Sequence, residues 1–459
     1  MSGENMKMRY EIIESYNGMK YLYLDECKSI FPYSEALEIC LKQRNGLWND
    51  EENSSNTLIA KDILEKYKSE INKYILDYKE YVNEIYNRMS EQNMKVKRFS
   101  TLWINVSNDC NLRCIYCYGN GGSFNKERKI LKREKLIQIL DFWLERIDNN
   151  SKKLQIIFFG GEPLMNKSAV IFTINYIKEK IGNQIPVKFG ITTNGTIIDN
   201  DLLQKFSENE FNITLSIDGG QQVQDINRPF LGGKGSYEII KHNIEKMLKK
   251  NISLIARVTV THNNVRSLKQ CFEDIWALGI ESISFEIVST NNKKLRLTEE
   301  DIEFLISELD VLAKMQYEYF INGQRKYIVN LIKYGKVLHS KKLNVCSFGA
   351  PDILKVDTDG NIFKCHRMIG NDEFLVGNIE NNIQGNCVHH KYINIDSCES
   401  CKYKALCIPC YEVNYTETGK LNIAPESHCK YIKNLIKENL KLYISINEYS
   451  NQLVRKIYK

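Results

Sequence analysis

Between residues 101 and 288 short apolar runs alternate with amphipathic stretches. The runs Leu102–Val106, Leu154–Phe159, Val187–Thr192, Ile213–Ile217, Leu254–Val260 and Ser282–Ile287 are short and rich in β-branched and aromatic residues, which predicts strands. Between them, Arg133–Arg146, Lys167–Lys180, Asp199–Phe206, Tyr237–Lys249 and Val265–Leu278 place apolar residues three and four apart, which predicts helices. Six strands alternating with helices imply an α/β fold, a parallel sheet forming a partial (β/α)6 TIM-like barrel. Function gathers at the carboxyl ends of the strands in such folds.

The flanks follow other rules. Tyr10 to Ser15 and Met19 to Leu24 are β-prone runs around Tyr16-Asn17-Gly18, a strong hairpin signal. Ser34 is placed to cap a helix over Glu35–Lys42, and a three-and-four stripe from Leu58 to Ile85 predicts a long helix. Residues 1–98 therefore read as a separate module, 99–288 as the barrel core and 289–345 as a polar, helical bridge. Residues 346–459 form a cysteine-dense, loop-rich region closed by a helix over about Tyr431–Ile446.

Charge excludes little. The net charge of +6 is mild for 459 residues, and the first hundred carry 15 basic and 17 acidic residues, which speaks against nucleic acid as a partner. No apolar run approaches the roughly 20 residues that span a bilayer. The N-terminus has no basic-then-apolar signal, so the expected setting is cytoplasmic, with no membrane partner. Cysteine changes the picture. Fourteen cysteines in a chain without a secretion signal favour metal ligation or redox chemistry over disulfides. Cys27, Cys40 and Cys271 stand in apolar surroundings and read as core.

Cys110, Cys114 and Cys117 follow the first strand with the spacing CxxxCxxC. Three thiolates on one loop suit a cubane with one open iron, whereas a zinc site would want a fourth ligand nearby. The segment, with Tyr116 before its last cysteine, resembles the cluster loop of radical S-adenosylmethionine (SAM) enzymes. The resemblance continues through Gly160-Gly161-Glu162-Pro163 after the second strand, Thr193-Asn194-Gly195 after the third, Ser216-Ile217-Asp218-Gly219 after the fourth, and Arg257 on the fifth. It implies a SAM-binding 4Fe–4S cluster on the three cysteines and a SAM site at Tyr116, Gly160, Gly161, Glu162, Pro163, Asn194, Ser216 and Arg257. The glycine-rich segment would hold the amino group, and Ser216 with Arg257 the carboxylate. Asp218 reads equally as a catalytic base, a peptide-binding group or a turn residue.

The second array is Cys346, Cys365, then Cys398-x2-Cys401-x5-Cys407-x2-Cys410, then Cys429. The two CxxC pairs alone would read as a zinc ribbon, but five residues between them is short, and that reading leaves Cys346, Cys365 and Cys429 unused. The array resembles the SPASM extension of peptide-modifying radical SAM enzymes, which carries two auxiliary 4Fe–4S clusters. The resemblance implies Cys398, Cys401, Cys407 and Cys429 for one and Cys346, Cys365 and Cys410 for the other. The chain departs from the common pattern in two ways: its last pair is CxxC, and no second cysteine follows Cys346 closely. The set with three ligands would then keep an open iron for a substrate thiolate, unless Cys387 or His366 fills it.

The whole arrangement is similar to maturases of ribosomally made peptides, such as those of sactipeptides, ranthipeptides and SCIFF peptides. That resemblance implies three 4Fe–4S clusters, SAM and a winged-helix-like N-terminal module that recognises the leader of a precursor peptide. It also implies an external electron donor such as flavodoxin or ferredoxin, and thioether formation between a cysteine and a carbon of another residue. Formylglycine formation, as in anaerobic sulfatase maturases, and carbon–carbon crosslinking remain alternative reactions. A non-catalytic iron–sulfur electron-transfer or binding module is the alternative outside enzymes, and the complete set of SAM motifs argues against it.

Overall fold

The architecture is taken from a computed structural model that describes residues 7–45, 61–94, 98–148, 151–340, 346–348, 350, 352–381 and 395–458. Cys387 lies outside the described residues. The chain begins with β1 (Tyr10–Glu14), β2 (Lys20–Leu24) and β3 (Ser29–Pro32), an antiparallel sheet, followed by α1 (Glu35–Arg44) and α2 (Lys61–Met94). The hairpin stands where the Asn-Gly signal puts it, and Gly18 turns it at a φ of +81°. Ser34 caps α1 through the Leu37 N–H, at 3.2 Å. β3 is four residues long and ends in proline, too short a run to announce itself in the sequence.

The central sheet takes its strands from β4 (Thr101–Ser107), β5 (Leu154–Gly160), β6 (Val187–Thr193), β7 (Asn212–Ser216), β8 (Leu254–Val260) and β9 (Ser282–Ile287). All five pairings between them are parallel. Their crossovers hold α3 (Arg133–Leu144), α4 (Lys167–Ile181), α5 (Asn200–Glu208), α6 (Gln221–Asn227), α7 (Tyr237–Lys249) and α8 (Leu268–Ala277). Alternation explains the strands. Leu102, Ile104 and Val106 are fully buried in the main core, while Trp103, on the other face, is partly open. The short α6 carries no three-and-four apolar stripe and was not legible.

Beyond the barrel come α9 (Glu299–Ile321), β10 (Tyr327–Ile328), α10 (Val329–Ser340), β11 (Ile353–Val356), β12 (Asn361–Phe363) and β13 (Leu375–Asn378). They are followed by α11 (Asp396–Glu399), α12 (Tyr411–Thr418), α13 (Glu426–Tyr449) and α14 (Asn451–Tyr458). The helix expected over 431–446 is α13, longer at both ends and with Cys429 in its first turn, and it is followed by α14, which was not expected. β11 pairs parallel with β4, and β12 and β13 add antiparallel, so the barrel sheet continues into the cysteine-rich region as one ten-stranded sheet.

The N-terminal sheet uses both faces. Leu22 and Leu24 of β2 pack with Leu37, Leu41, Ile71 and Ile75, while Ile13 and Tyr23 join the main core. Polar contacts fix the joint. Asp25 accepts the Ala405 N–H at 2.9 Å, Arg9 donates to the Glu399 carbonyl at 2.8 Å, and the Tyr16 N–H reaches Ser445 Oγ at 2.9 Å. Among the described residues no helix is long and apolar enough to cross a membrane.

Candidate functional site

Parallel strands put the segments after β4, β5, β6 and β7 at one end of the sheet. The loop after β4 carries Cys110, Cys114 and Cys117. Its residues 111–115 run antiparallel to 227–231, through Arg113 N–H to Pro229 O at 2.7 Å and Ile115 N–H to Asn227 O at 3.0 Å. Backbone N–H groups already point at sulfur, Leu112 at Cys110 Sγ (3.4 Å) and Gly121 at Cys117 Sγ (3.3 Å). The three thiols lie within electrostatic reach of one another, and burial pushes Cys110 up to about 12 and Cys114 to about 11.

Gly160 and Gly161 are required by close backbone packing against this loop. A Cβ on Gly160 would stand 2.3 Å from the Ser107 carbonyl oxygen, and one on Gly161 2.3 Å from that of Asp109. The Gly161 and Glu162 N–H groups donate to those same two carbonyls. Glu162 is 1% exposed, not a solvated loop residue. Its carboxylate accepts from Thr193 Oγ1 at 2.7 Å, the Asn194 N–H at 2.7 Å and the Leu164 N–H at 3.0 Å, which locks the end of β5 to that of β6. Asn194 in turn donates to Asn111 Oδ1 at 2.8 Å. Pro163 begins a short 3-10 turn.

Burial pushes Glu162 up to about 7, against its hydrogen bonds. A carboxyl raised in the folded state contributes stability that is complete below its unfolded pKa and is lost as pH rises through its folded one. Stability is therefore expected to fall between about pH 4.5 and 7, by roughly 3 kcal/mol from this group. Glu162→Gln should flatten that segment of a urea-midpoint profile.

Asp218 is fully buried and saturated. It accepts from the Tyr116 hydroxyl, from Arg228 Nη2 at 3.0 Å, from Asn227 Nδ2 at 3.2 Å and from the Thr259 N–H at 2.9 Å. These contacts tie the cluster loop, through Tyr116, to β8. Arg228 also stands beside Cys114 and over the Tyr116 ring, 5.2 Å from its centroid. Sequence reasoning missed Arg228, because an isolated Arg before Pro229 carries no pattern. Ser216 and Arg257 are register partners on β7 and β8. Arg257 reaches Ser284 Oγ at 2.8 Å and Glu286 at 3.3 Å, both on β9. Partial desolvation works to raise Glu286, whose side chain is half exposed, but is outweighed by Arg257, Lys333, Arg367 and His428, which hold it below the usual carboxylate range. Only the sheet register reveals Glu286 as part of this end of the barrel.

The later cysteines fall into two groups. Cys346, Cys365 and Cys410 lie within mutual electrostatic reach. So do Cys398, Cys401, Cys407 and Cys429, which with Cys410 line a cavity of about 900 Å³ together with Arg9, Asp25 and Tyr78 of the N-terminal module. The His366 ring packs on Trp103 and Phe159, with centroids 4.2 and 5.2 Å away. Cys27, Cys40 and Cys271 are buried. Among the described residues no three His, Cys, Asp or Glu side chains converge tightly enough to hold a single metal ion.

Residues 104–275 match the family model described as the Radical SAM superfamily. An uncharacterised protein of Methanocaldococcus jannaschii is 30% identical over 269 residues, covering 59% of this chain and 85% of that protein. The chain belongs to the radical SAM superfamily. Members of this superfamily use SAM and a 4Fe–4S cluster. A cysteine-type anaerobic sulfatase-maturating enzyme of Clostridium novyi is 24% identical, covering 68% of this chain and 87% of its own. Streptococcus suis SuiB, solved bound to its precursor peptide SuiA, shares the fold at a TM-score of 0.53 and 12% identity, covering 92% of this chain and 98% of its own.

The radical SAM residues present here fit a cluster. The thiols of Cys110 and Cys114 carry raised pKa values that iron would reverse by taking the thiolates, and N–H donors of the kind that tune cluster sulfurs are in place at Cys110 and Cys117.

Proposed function

We propose that this radical SAM protein is a peptide maturase that joins a cysteine sulfur of a ribosomally made precursor to a carbon of another residue. One observation carries the reading: an N-terminal sheet is docked on the segment that bears Cys398, Cys401 and Cys407. Its outer strand β3 pairs on one side only among the described residues. An outer strand offers unpaired backbone groups to an extended peptide, so residues 1–98 recognise the leader while residues 99–288 act on the segment that follows. The SuiB likeness, which extends over 92% of this chain, supports the same division.

When bound, the cluster and SAM supply a 5′-deoxyadenosyl radical that takes hydrogen from an unactivated carbon. Cys110, Cys114 and Cys117 hold the cluster. Ser216 and Arg257 hold the methionine carboxylate. Gly160, Gly161, Pro163 and Asn194, fixed by Glu162, present backbone and amide groups to the amino end. Tyr116, pinned by Asp218, walls the site. Cys346, Cys365 and Cys410 hold one auxiliary 4Fe–4S cluster, and Cys398, Cys401, Cys407 and Cys429 a second. An external one-electron donor completes the system.

The test is a reaction of the reconstituted full chain with SAM, reductant and a cysteine-containing precursor encoded beside its gene. The expected product has lost two hydrogens and one alkylatable cysteine. An unchanged cysteine count would overturn the thioether. The likeness to the sulfatase-maturating enzyme favours formylglycine as the second reading, which an aldehyde in the product would establish.

A further inference from the structure

We propose that the N-terminal module is part of the second auxiliary cluster site: it braces the two elements that carry Cys398, Cys401, Cys407 and Cys429, with Asp25 and Arg9 as positioning residues for those ligands. The inference rests on the reading above that these four cysteines hold a cluster.

The four cysteines come from two places. Cys398 lies on α11, with Cys401 and Cys407 in and after the turns that follow it, whereas Cys429 lies in the first turn of α13. Turns within the first segment set the spacing of its own ligands. The Cys401 N–H donates to the Cys398 carbonyl at 3.1 Å, and the Cys407 N–H to that of Tyr403 at 2.8 Å. Such local bonds do not fix where the segment stands relative to α13.

The module supplies that placement. Asp25 is 1% exposed, and its Oδ1 accepts from the Ala405 N–H and the Tyr23 hydroxyl, both at 2.9 Å. The Tyr23 ring stacks on Tyr403, with centroids 6.2 Å apart. Arg9 donates to the Glu399 carbonyl at 2.8 Å and is itself held by the buried carboxylates of Asp25, at 3.1 Å, and Glu26, at 3.2 Å. Glu11 of β1 pairs with Lys402. The turn between β1 and β2 grips α13. There the Tyr16 N–H donates to Ser445 Oγ at 2.9 Å, Asn17 Nδ2 donates to Glu448 at 2.8 Å, and Lys441 stands over the Tyr16 ring, 4.6 Å from its centroid. One small sheet thus holds both ligand-bearing elements. Asp25 is the strongest of these ties, because removing a buried acceptor leaves two donors unsatisfied, whereas the exposed pairs contribute little.

Four thiolates must converge before a cluster is held, and groups that orient ligands without touching the metal set how firmly it is kept. The module assigned above to leader recognition therefore also controls retention of the second cluster.

The experiment uses the full chain, reconstituted anaerobically, with Cys110, Cys114 and Cys117 replaced by Ala so that only auxiliary signals remain. The EPR signal of each auxiliary cluster is followed during challenge with an iron chelator, and the signal that survives Cys346→Ala marks the second cluster. Asp25→Ala should speed loss of the second cluster about tenfold and leave the first unmoved. Asp25→Asn, which keeps Oδ1 for Ala405 and Tyr23, should restore the parent rate. Arg9→Met, which cuts the tie to Glu399 but leaves both bonds to Asp25 Oδ1, should speed loss of the same signal and decides the matter if Asp25→Ala fails to fold. A folded variant that keeps the second cluster at the parent rate, or loses both clusters equally fast, overturns the brace. A parent protein whose iron content does not fall on replacing Cys398 and Cys429 overturns the cluster reading instead.

Discussion

Replacing Cys110, Cys114 and Cys117 together by alanine is expected to abolish SAM cleavage and remove about a third of the iron. Three 4Fe–4S clusters correspond to about twelve irons, of which this loop would hold about four. The loss should stay confined to that third. The loop lies after β4, whereas Cys398, Cys401, Cys407, Cys410 and Cys429 lie on α11, α13 and the segment between them, and Cys346 and Cys365 flank β11 and β12. The measurements are iron per chain after anaerobic reconstitution, and 5′-deoxyadenosine by chromatography. Parent protein holding near four irons and two zincs would sink the auxiliary clusters and return the two CxxC pairs to a zinc ribbon.

Asp218→Ala is expected to cost about 3–5 kcal/mol, because it leaves the Arg228 guanidinium buried without its partner. Three further donors, from Tyr116, Asn227 and Thr259, lose their acceptor at the same time. Tyr116 is the link to the cluster loop, so SAM cleavage should fall with stability. A urea midpoint and a deoxyadenosine assay on the same preparation read both effects. Asp218→Asn separates this role from that of a base. An anchor loses stability and SAM cleavage together, whereas a base acting on substrate would leave both near the parent level and lose only peptide product.

Much of the barrel was legible because its strands and helices are periodic over enough residues for the pattern to stand out. Leu254–Val260 and Tyr237–Lys249 have the bounds the sequence implies. The short elements were not. β3 exists because β2 offers it an edge, and α6 is set by its place between Asp218 and Arg228, with Gln224 accepting the Asp218 N–H at 2.9 Å. Neither carries enough residues of its own to make a pattern.

What the sequence by itself determined is the chemistry that local spacing encodes: the CxxxCxxC loop, the Gly160-Gly161-Glu162-Pro163 segment after the second strand, and the alternation that builds the barrel. Tertiary structure alone decided which distant groups share a space. It joined the ends of β5 and β6 through the buried Glu162 and tied the cluster loop to β8 through the buried Asp218. The physical reason is that burial and charge pairing depend on distance through space. A sequence records only distance along the chain, and a strand such as β11 pairs with β4 some 250 residues earlier.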